Sequence, residues 1–198
     1  MRYLGLISFL FALCLAANIV PAQSYMPAFV NSVDSVGLYQ MNIEIENTHF
    51  SGVLLLKKMN DSAMRLVMNS ELGPKLLDME LYPSRYKLNH AFPKMNHKRI
   101  LKTFYDDFGA LFQIIIRNKN STVEQTPNEY NRFFDLGKKR KIIYTSGSRS
   151  SVFTSGRVME GTEVISRFLY ELTPGTSTVS LLKLEHQRFT MIITLTRI

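Results

Sequence analysis

Four histidines, His49, His90, His97 and His186, are the side chains best suited to proton transfer or metal ligation near neutral pH. No two of them stand at the spacing of an H-E-x-x-H helix or of another common ligand pair. Glu44 and Glu46 could pair as carboxylates for acid–base work. The alternation around them puts both on the solvent face of a strand, however, whereas perturbed catalytic groups gather in clefts. Ser146-Gly147-Ser148 lacks the strand-to-helix setting of a nucleophile elbow and reads as turn chemistry. No P-loop, dinucleotide fingerprint or G-x-S-x-G motif occurs. Cys14 is the single cysteine and lies in the N-terminal apolar run, so the processed chain would hold no thiol nucleophile, disulfide or cysteine metal site. These residues predict a non-enzymatic protein with no metal and no cofactor.

The most informative residue is a leucine. Met64, Leu66 and Met68 take one face of a strand and Leu77, Met79 and Leu81 one face of the next, with Arg65, Asp78 and Glu80 interleaved. Between them the chain reads Asn69-Ser70-Glu71-Leu72-Gly73-Pro74. Gly73 supplies positive φ, and Pro74 fixes its own φ and lacks an N–H, so the pair forces a reversal. Leu72 is pushed outward at an apex normally filled by polar turn-formers. A single exposed leucine is ordinary on a protein surface; a hydrophobic tip for membranes is the functional alternative. Arg65 alternates away from the Met64, Leu66 and Met68 face and is a candidate polar group of a cavity by residue type only.

Residues 1–22 have the charged start, apolar centre and small-residue end of a secretory signal peptide, with cleavage after Ala22 or Ser24. An uncleaved anchor is the alternative, although the run is short for a membrane span of about 20 residues. Leu13 precedes Cys14 and the apolar run continues beyond it, which does not fit a lipidation signal. The remaining 23–198, about 175 residues, is long enough to bury its own core as a single domain. The net charge of +8 suits acidic membrane surfaces or acidic partners. The export signal argues against nucleic acid, and Lys138-Lys139-Arg140-Lys141 reads as a solvated hairpin turn.

The elements that must position these residues form a strand meander. Five strands precede a change of period, in which Ile100, Leu101, Phe104, Phe108, Leu111 and Phe112 mark one face of a helix over about residues 96–112. Lys98, Arg99, Lys102, Asp106 and Asp107 are expected on its opposite side. Strands resume at Ile114 to Arg117, and after a polar loop at 118–126 further strands run to the C-terminus. The count is ten or eleven strands and one helix. The simplest shelter for an aromatic helix face is a mainly β fold: a curled antiparallel sheet, an incomplete barrel, wrapped around the central helix. Ten methionines and thirteen phenylalanines would make its interior deformable, which suits acyl chains and equally suits an ordinary core.

This order of elements resembles the lipoprotein-localisation factors of Gram-negative bacteria, the LolA/LolB-like family of periplasmic carrier and outer-membrane receptor. Met64 to Leu81 is similar to the receptor's Arg-Leu strand, Asn-x-Leu-Gly tip and following strand of alternating leucines. The resemblance implies a half-barrel lidded by a helix and a tip leucine, here Leu72 with Gly73, that helps deliver cargo into a membrane. It also implies a lipid cavity or lid at Leu101, Phe104, Phe108, Leu111 and Phe112. Unlike the receptor, this chain lacks a small residue before its cysteine. The expected partners are acyl chains of a lipid or lipoprotein and a periplasmic membrane surface, with no nucleic acid, the protein acting as a monomer. The alternative is a periplasmic interaction or assembly protein with a filled core.

Overall fold

Alternation in the first strand sets the inner face of the fold. Tyr39, Met41 and Ile43 are fully buried while their neighbours face outward, the period-2 geometry of a strand covered on one side. The computed structural model describes residues 36–46, 48–59, 63–147, 152–176 and 178–198. The proposed signal peptide and Ser148 of Ser146-Gly147-Ser148 lie outside the described residues.

Five strands lead in: β1 (Val36–Ile45), β2 (Thr48–Lys58), β3 (Met64–Ser70), β4 (Lys75–Leu81) and β5 (Tyr86–Ala91). A short 3₁₀ turn (Pro93–Met95) and the helix α1 (Lys98–Leu111) follow. Seven more strands complete the chain: β6 (Ser121–Gln125), β7 (Glu129–Gly137), β8 (Arg140–Gly147), β9 (Ser155–Glu160), β10 (Glu163–Leu172), β11 (Val179–His186) and β12 (Met191–Arg197). All twelve belong to one antiparallel sheet, ordered β5-β4-β3-β2-β1-β12-β11-β10-β9-β8-β7-β6. The first and last strands therefore pair at its centre, with Ile43 opposite Ile193. The two edges, β5 and β6, are joined only through α1.

That connection requires curvature. A flat twelve-stranded sheet would be about 53 Å wide at about 4.8 Å per strand, whereas a helix with its side chains is about 10–12 Å across. Yet α1 touches both wings. The Tyr105 hydroxyl donates to the carbonyls of Tyr82 and Pro83 beside β5, at 3.1 and 3.2 Å. On the other wing, Tyr144 of β8 donates to Ala110 O at 2.6 Å and Tyr170 of β10 to Leu111 O at 2.8 Å. The sheet is thus an open half-barrel around one helix.

The end of the helix shows why it stays there. The last four carbonyls of a helix have no partner within it. Phe108 O accepts from Phe112 N, Gly109 O from the N–H groups of Ile114 and Ile115, and Ala110 O from Gln113 N. With Gln113 at φ 62, these bonds form a Schellman stop whose left-handed residue is a glutamine in place of the usual glycine. The two buried tyrosines complete the set. Gly109 lets the chain double back, since a Cβ there would meet Ile115 Cγ2 at 2.6 Å.

Three expectations need correction. Ile114 to Arg117 is a run of turns and not a strand; its three isoleucines are buried as packing beneath the helix end. β6 lies where a polar loop was expected, because all five of its residues are exposed and leave no apolar alternation to read. The helix begins at Lys98, since His97 is still extended.

Two substitutions test this anchoring. Tyr170→Phe removes the donor to Leu111 O and is expected to cost about 1–3 kcal/mol in denaturant unfolding. Phe108→Ala should cost about 3–5 kcal/mol, as for other fully buried aromatics.

Candidate functional groove and rim

The aromatic face of α1 forms a ladder. Phe104 and Phe108 stack with centroids 5.7 Å apart, and Phe108 and Phe112 repeat the spacing with planes 3° apart. Leu101 and Leu111 are buried beside them. Of the five residues considered for a lipid cavity or lid, Phe104 also reaches an open cleft; the other four are enclosed within the core. That cleft, about 340 Å³, lies between the first turns of α1 and the adjoining ends of β1 and β12. Ile45, Ile100, Phe104, Phe189 and Met191 supply its apolar walls, and Glu46, Arg99 and Thr103 its polar margin.

Strand direction gives the cleft its neighbours. In a strictly antiparallel meander, alternate turns fall on the same rim. The β1–β2, β3–β4, β7–β8, β9–β10 and β11–β12 turns share one rim, and the N-terminus of α1 follows β5 there. The β3–β4 turn carries Leu72, which is 94 % exposed, with Gly73 at φ 97 and Ser70 N bonded to Pro74 O at 2.9 Å. The exposed leucine and the apolar cleft therefore open on the same rim. Lys138 and Lys139 occupy the β7–β8 turn of that rim, both with positive φ.

Beside the cleft lies a polar recess of about 450 Å³ that shares Arg99, Thr103 and Phe189 with it. Asp106 bridges Lys102 at 2.6 Å and Arg140 at 3.1 Å, and Arg188 pairs with Glu160 and, at 3.6 Å, with Glu163. At its floor, Asp107 meets His186 Nδ1 at 3.0 Å. Asp107 is 2 % exposed, a correction to its expected place on the solvent side of the helix. The signal was present, because residue 107 follows Ile100 and Phe104 and precedes Leu111 at the spacing of the apolar face. The His186 ring packs on Phe189 with centroids 4.2 Å apart. Burial pushes the Asp107 carboxyl up, opposed by His186 and the neighbouring Ser166.

Arg65 lies on the opposite face of the sheet from Met64, Leu66 and Met68. Its Nε and Nη2 donate to both oxygens of Asp78, at 2.9 and 2.7 Å. Lys75 and Asn89 also donate to Asp78, while Tyr82, Lys87 and Asn89 donate to Glu80. The Arg65 bonds hold the Asp78 carboxyl well below the usual carboxylate range. Asn89 and Tyr82 lead in lowering Glu80 from 4.5 to about 2. The guanidinium is therefore part of a polar cluster on the outer face, not of the helix-lined interior. Among the described residues no group of three or more acidic, histidine or cysteine side chains could hold a metal ion, and no helix is long and apolar enough to cross a membrane.

The carboxylates act on stability in opposite senses. Glu80, lowered on folding, contributes stability that is present above its ordinary value and lost as pH falls from about 4.5 toward 2. Glu80→Gln should flatten that acid limb. Asp107, raised on folding, contributes stability that is full below the ordinary carboxylate range and is lost as pH rises through its folded value. Asp107→Asn should remove that decline while leaving the acid limb in place. Denaturant unfolding across pH measures both.

No protein-family profile matches the sequence, and no curated protein matches it. Solved structures do. A LolA-superfamily protein from Nitrosomonas europaea is similar over 86 % of each chain at 7 % identity, with a TM-score of 0.56. A DUF1329-family protein from Desulfovibrio piger is similar over 85 % of each chain at 9 % identity, with a TM-score of 0.50. A third, described as an outer membrane lipoprotein-sorting protein domain from Vibrio parahaemolyticus, covers 82 % of this chain and 83 % of its own at a TM-score of 0.46 and 9 % identity. At these identities the likeness is one of architecture: an open antiparallel sheet around a helix, the LolA-like fold.

Proposed function

We propose that this protein binds acyl chains of lipids or lipoproteins in the periplasm and transfers them toward the outer membrane without catalysis. The observation that carries the reading is the apolar cleft at Phe104 opening on the rim that bears Leu72. The LolA-like fold supports it, as do the export signal read in residues 1–22 and the absence of a catalytic constellation from the sequence. Each methylene withdrawn from water is worth roughly 0.8 kcal/mol, so partial insertion of a chain already gives useful affinity. The lid role belongs to α1: Leu101, Phe104, Phe108, Leu111 and Phe112 would exchange contacts with the sheet for contacts with the acyl chain when the helix shifts. Leu72 and Gly73 would form the tip that enters the membrane. The protein acts as a monomer on this reading.

One observation favours a second reading. The interior beneath α1 is already filled by the phenylalanine ladder and the Ile114–Ile116 turn, as in an assembly protein with no ligand. Mass spectrometry of organic extracts separates the two. Co-purifying lipid is expected, and a clean extract together with no binding of an acyl probe would overturn the proposal. The tip has its own test. Leu72→Glu should change stability by less than about 0.5 kcal/mol, as exposed positions do, yet reduce co-sedimentation with anionic vesicles. Unchanged vesicle binding and transfer would remove the tip from the mechanism.

A further inference from the structure

The apolar cleft and the polar recess are one continuous surface, joined along Arg99, Thr103 and Phe189. Their chemistries differ sharply. The cleft offers aliphatic and aromatic walls to a chain, and its volume sits at the low end of the range for small-molecule sites, about 300–1,000 Å³. That volume accommodates one slender chain.

The recess carries five cations: Arg99, Lys102, Lys138, Arg140 and Arg188. Lys102 and Arg140 share Asp106, and Arg188 is held by Glu160 and Glu163. Asp107 is engaged by His186 at the floor. Among the described residues, Arg99 and Lys138 have no carboxylate within ion-pair distance. Glu46 shares the polar margin of the cleft with Arg99 and makes no ion pair with it. Arg99 also stands in the first turn of α1, whose N-terminus has no side-chain cap and no acidic residue to offset its positive end. Two cations without a carboxylate partner thus line the recess, and one of them, Arg99, stands where it joins the apolar cleft.

We infer that this bipartite surface takes a single-chain anionic amphiphile, its acyl chain in the cleft lined by Ile45, Ile100, Phe104 and Met191. Its headgroup sits on Arg99 and Lys138. The inference rests on the acyl-binding reading above and narrows it to a ligand class. An anion at that point supplies the charge the recess lacks and complements the uncapped helix end. A neutral or cationic headgroup would leave Arg99 and Lys138 uncompensated or repel them.

Decyl phosphate and 1-decanol, titrated calorimetrically against the mature protein below their aggregation limits, share a chain and differ in head. The phosphate is expected to bind about fivefold more tightly, the scale of one exposed charge pair. The preference should collapse near 1 M salt, where screening acts over about 3 Å. Arg99→Glu is exposed and should fold normally. It is expected to abolish the preference by lowering decyl phosphate affinity, with Lys138→Glu giving a partial loss. A decyl phosphate bearing a photoactivatable terminal diazirine should label peptides containing Ile45, Phe104 or Met191. Equal affinity for the two ligands, an unaffected Arg99→Glu variant, or labelling elsewhere would overturn the inference while leaving acyl binding intact. Displacement of decyl phosphate by inorganic phosphate at similar concentration would reduce the site to an anion site and overturn it too. If neither amphiphile binds, the inference fails outright, and lipid in the organic extract still decides the acyl-binding reading separately.

Discussion

The buried C-terminus of α1 is the constraint from which the architecture follows. Four carbonyls at the end of a helix cannot be withdrawn from water without donors, since each unsatisfied group costs about 1–3 kcal/mol. Here the chain supplies local donors through Phe112, Gln113, Ile114 and Ile115. It supplies distant ones through Tyr144 and Tyr170. These tyrosines lie 34 and 59 residues beyond the carbonyls they serve, so burial of the helix end depends on the later wing of the sheet. Their rings join the Phe134, Phe153 and Phe168 cluster, which aims each hydroxyl at its carbonyl. Polar satisfaction and aromatic packing thus fix the same element in the same place.

That dependence makes the fold strongly non-local. β1 pairs with β12, the two ends of the described chain, at the centre of the sheet. The two edges are linked by the helix they enclose. Long-range pairing of this kind must meet loop-closure entropy before contacts reward it, so slow folding is the physical expectation. The helix then divides into two unlike ends. Its C-terminus is satisfied on every carbonyl. Its N-terminus has no side-chain cap, opens with Lys98 and Arg99 and stands at the rim. Local opening begins where buried contacts and paired groups are fewest, which on this helix is the end that borders the cleft.

Much of this was legible in the sequence because period and burial agree. Tyr39, Met41 and Ile43 alternate, Phe104, Phe108 and Phe112 recur every four residues, and the structure buries both sets. The Leu72 apex followed from Gly73 and Pro74 alone. Illegibility had specific causes. β6 is exposed along its whole length and so lacks a periodic signature. The isoleucines at 114–116 are β-branched and suggest a strand, but a stop built on Gln113 instead of glycine gives no warning that the helix turns beneath itself. Asp78 and Glu80 interleave with the apolar residues of β4, yet cross-strand Arg65, Lys87 and Asn89 bury them, and such pairings depend on register. Asp107 needed His186, 79 residues away, to be tolerable inside.

The candidate site shares this mixture of local and distant causes. Its walls come from β1, α1, the β11–β12 turn and β12, elements brought together only by the central pairing of the chain ends. Its cations come from α1, the β7–β8 hairpin and the β11–β12 turn. The rim bearing Leu72, Lys138 and Lys139 faces outward with an apolar point and positive charge. The outer face below it hides Asp78 and Glu80 under Arg65, Lys75 and Lys87. Near an anionic surface each basic residue contributes about 1 kcal/mol of attraction. On the proposed reading, one approach brings leucine tip, cleft and uncapped helix end to the membrane together.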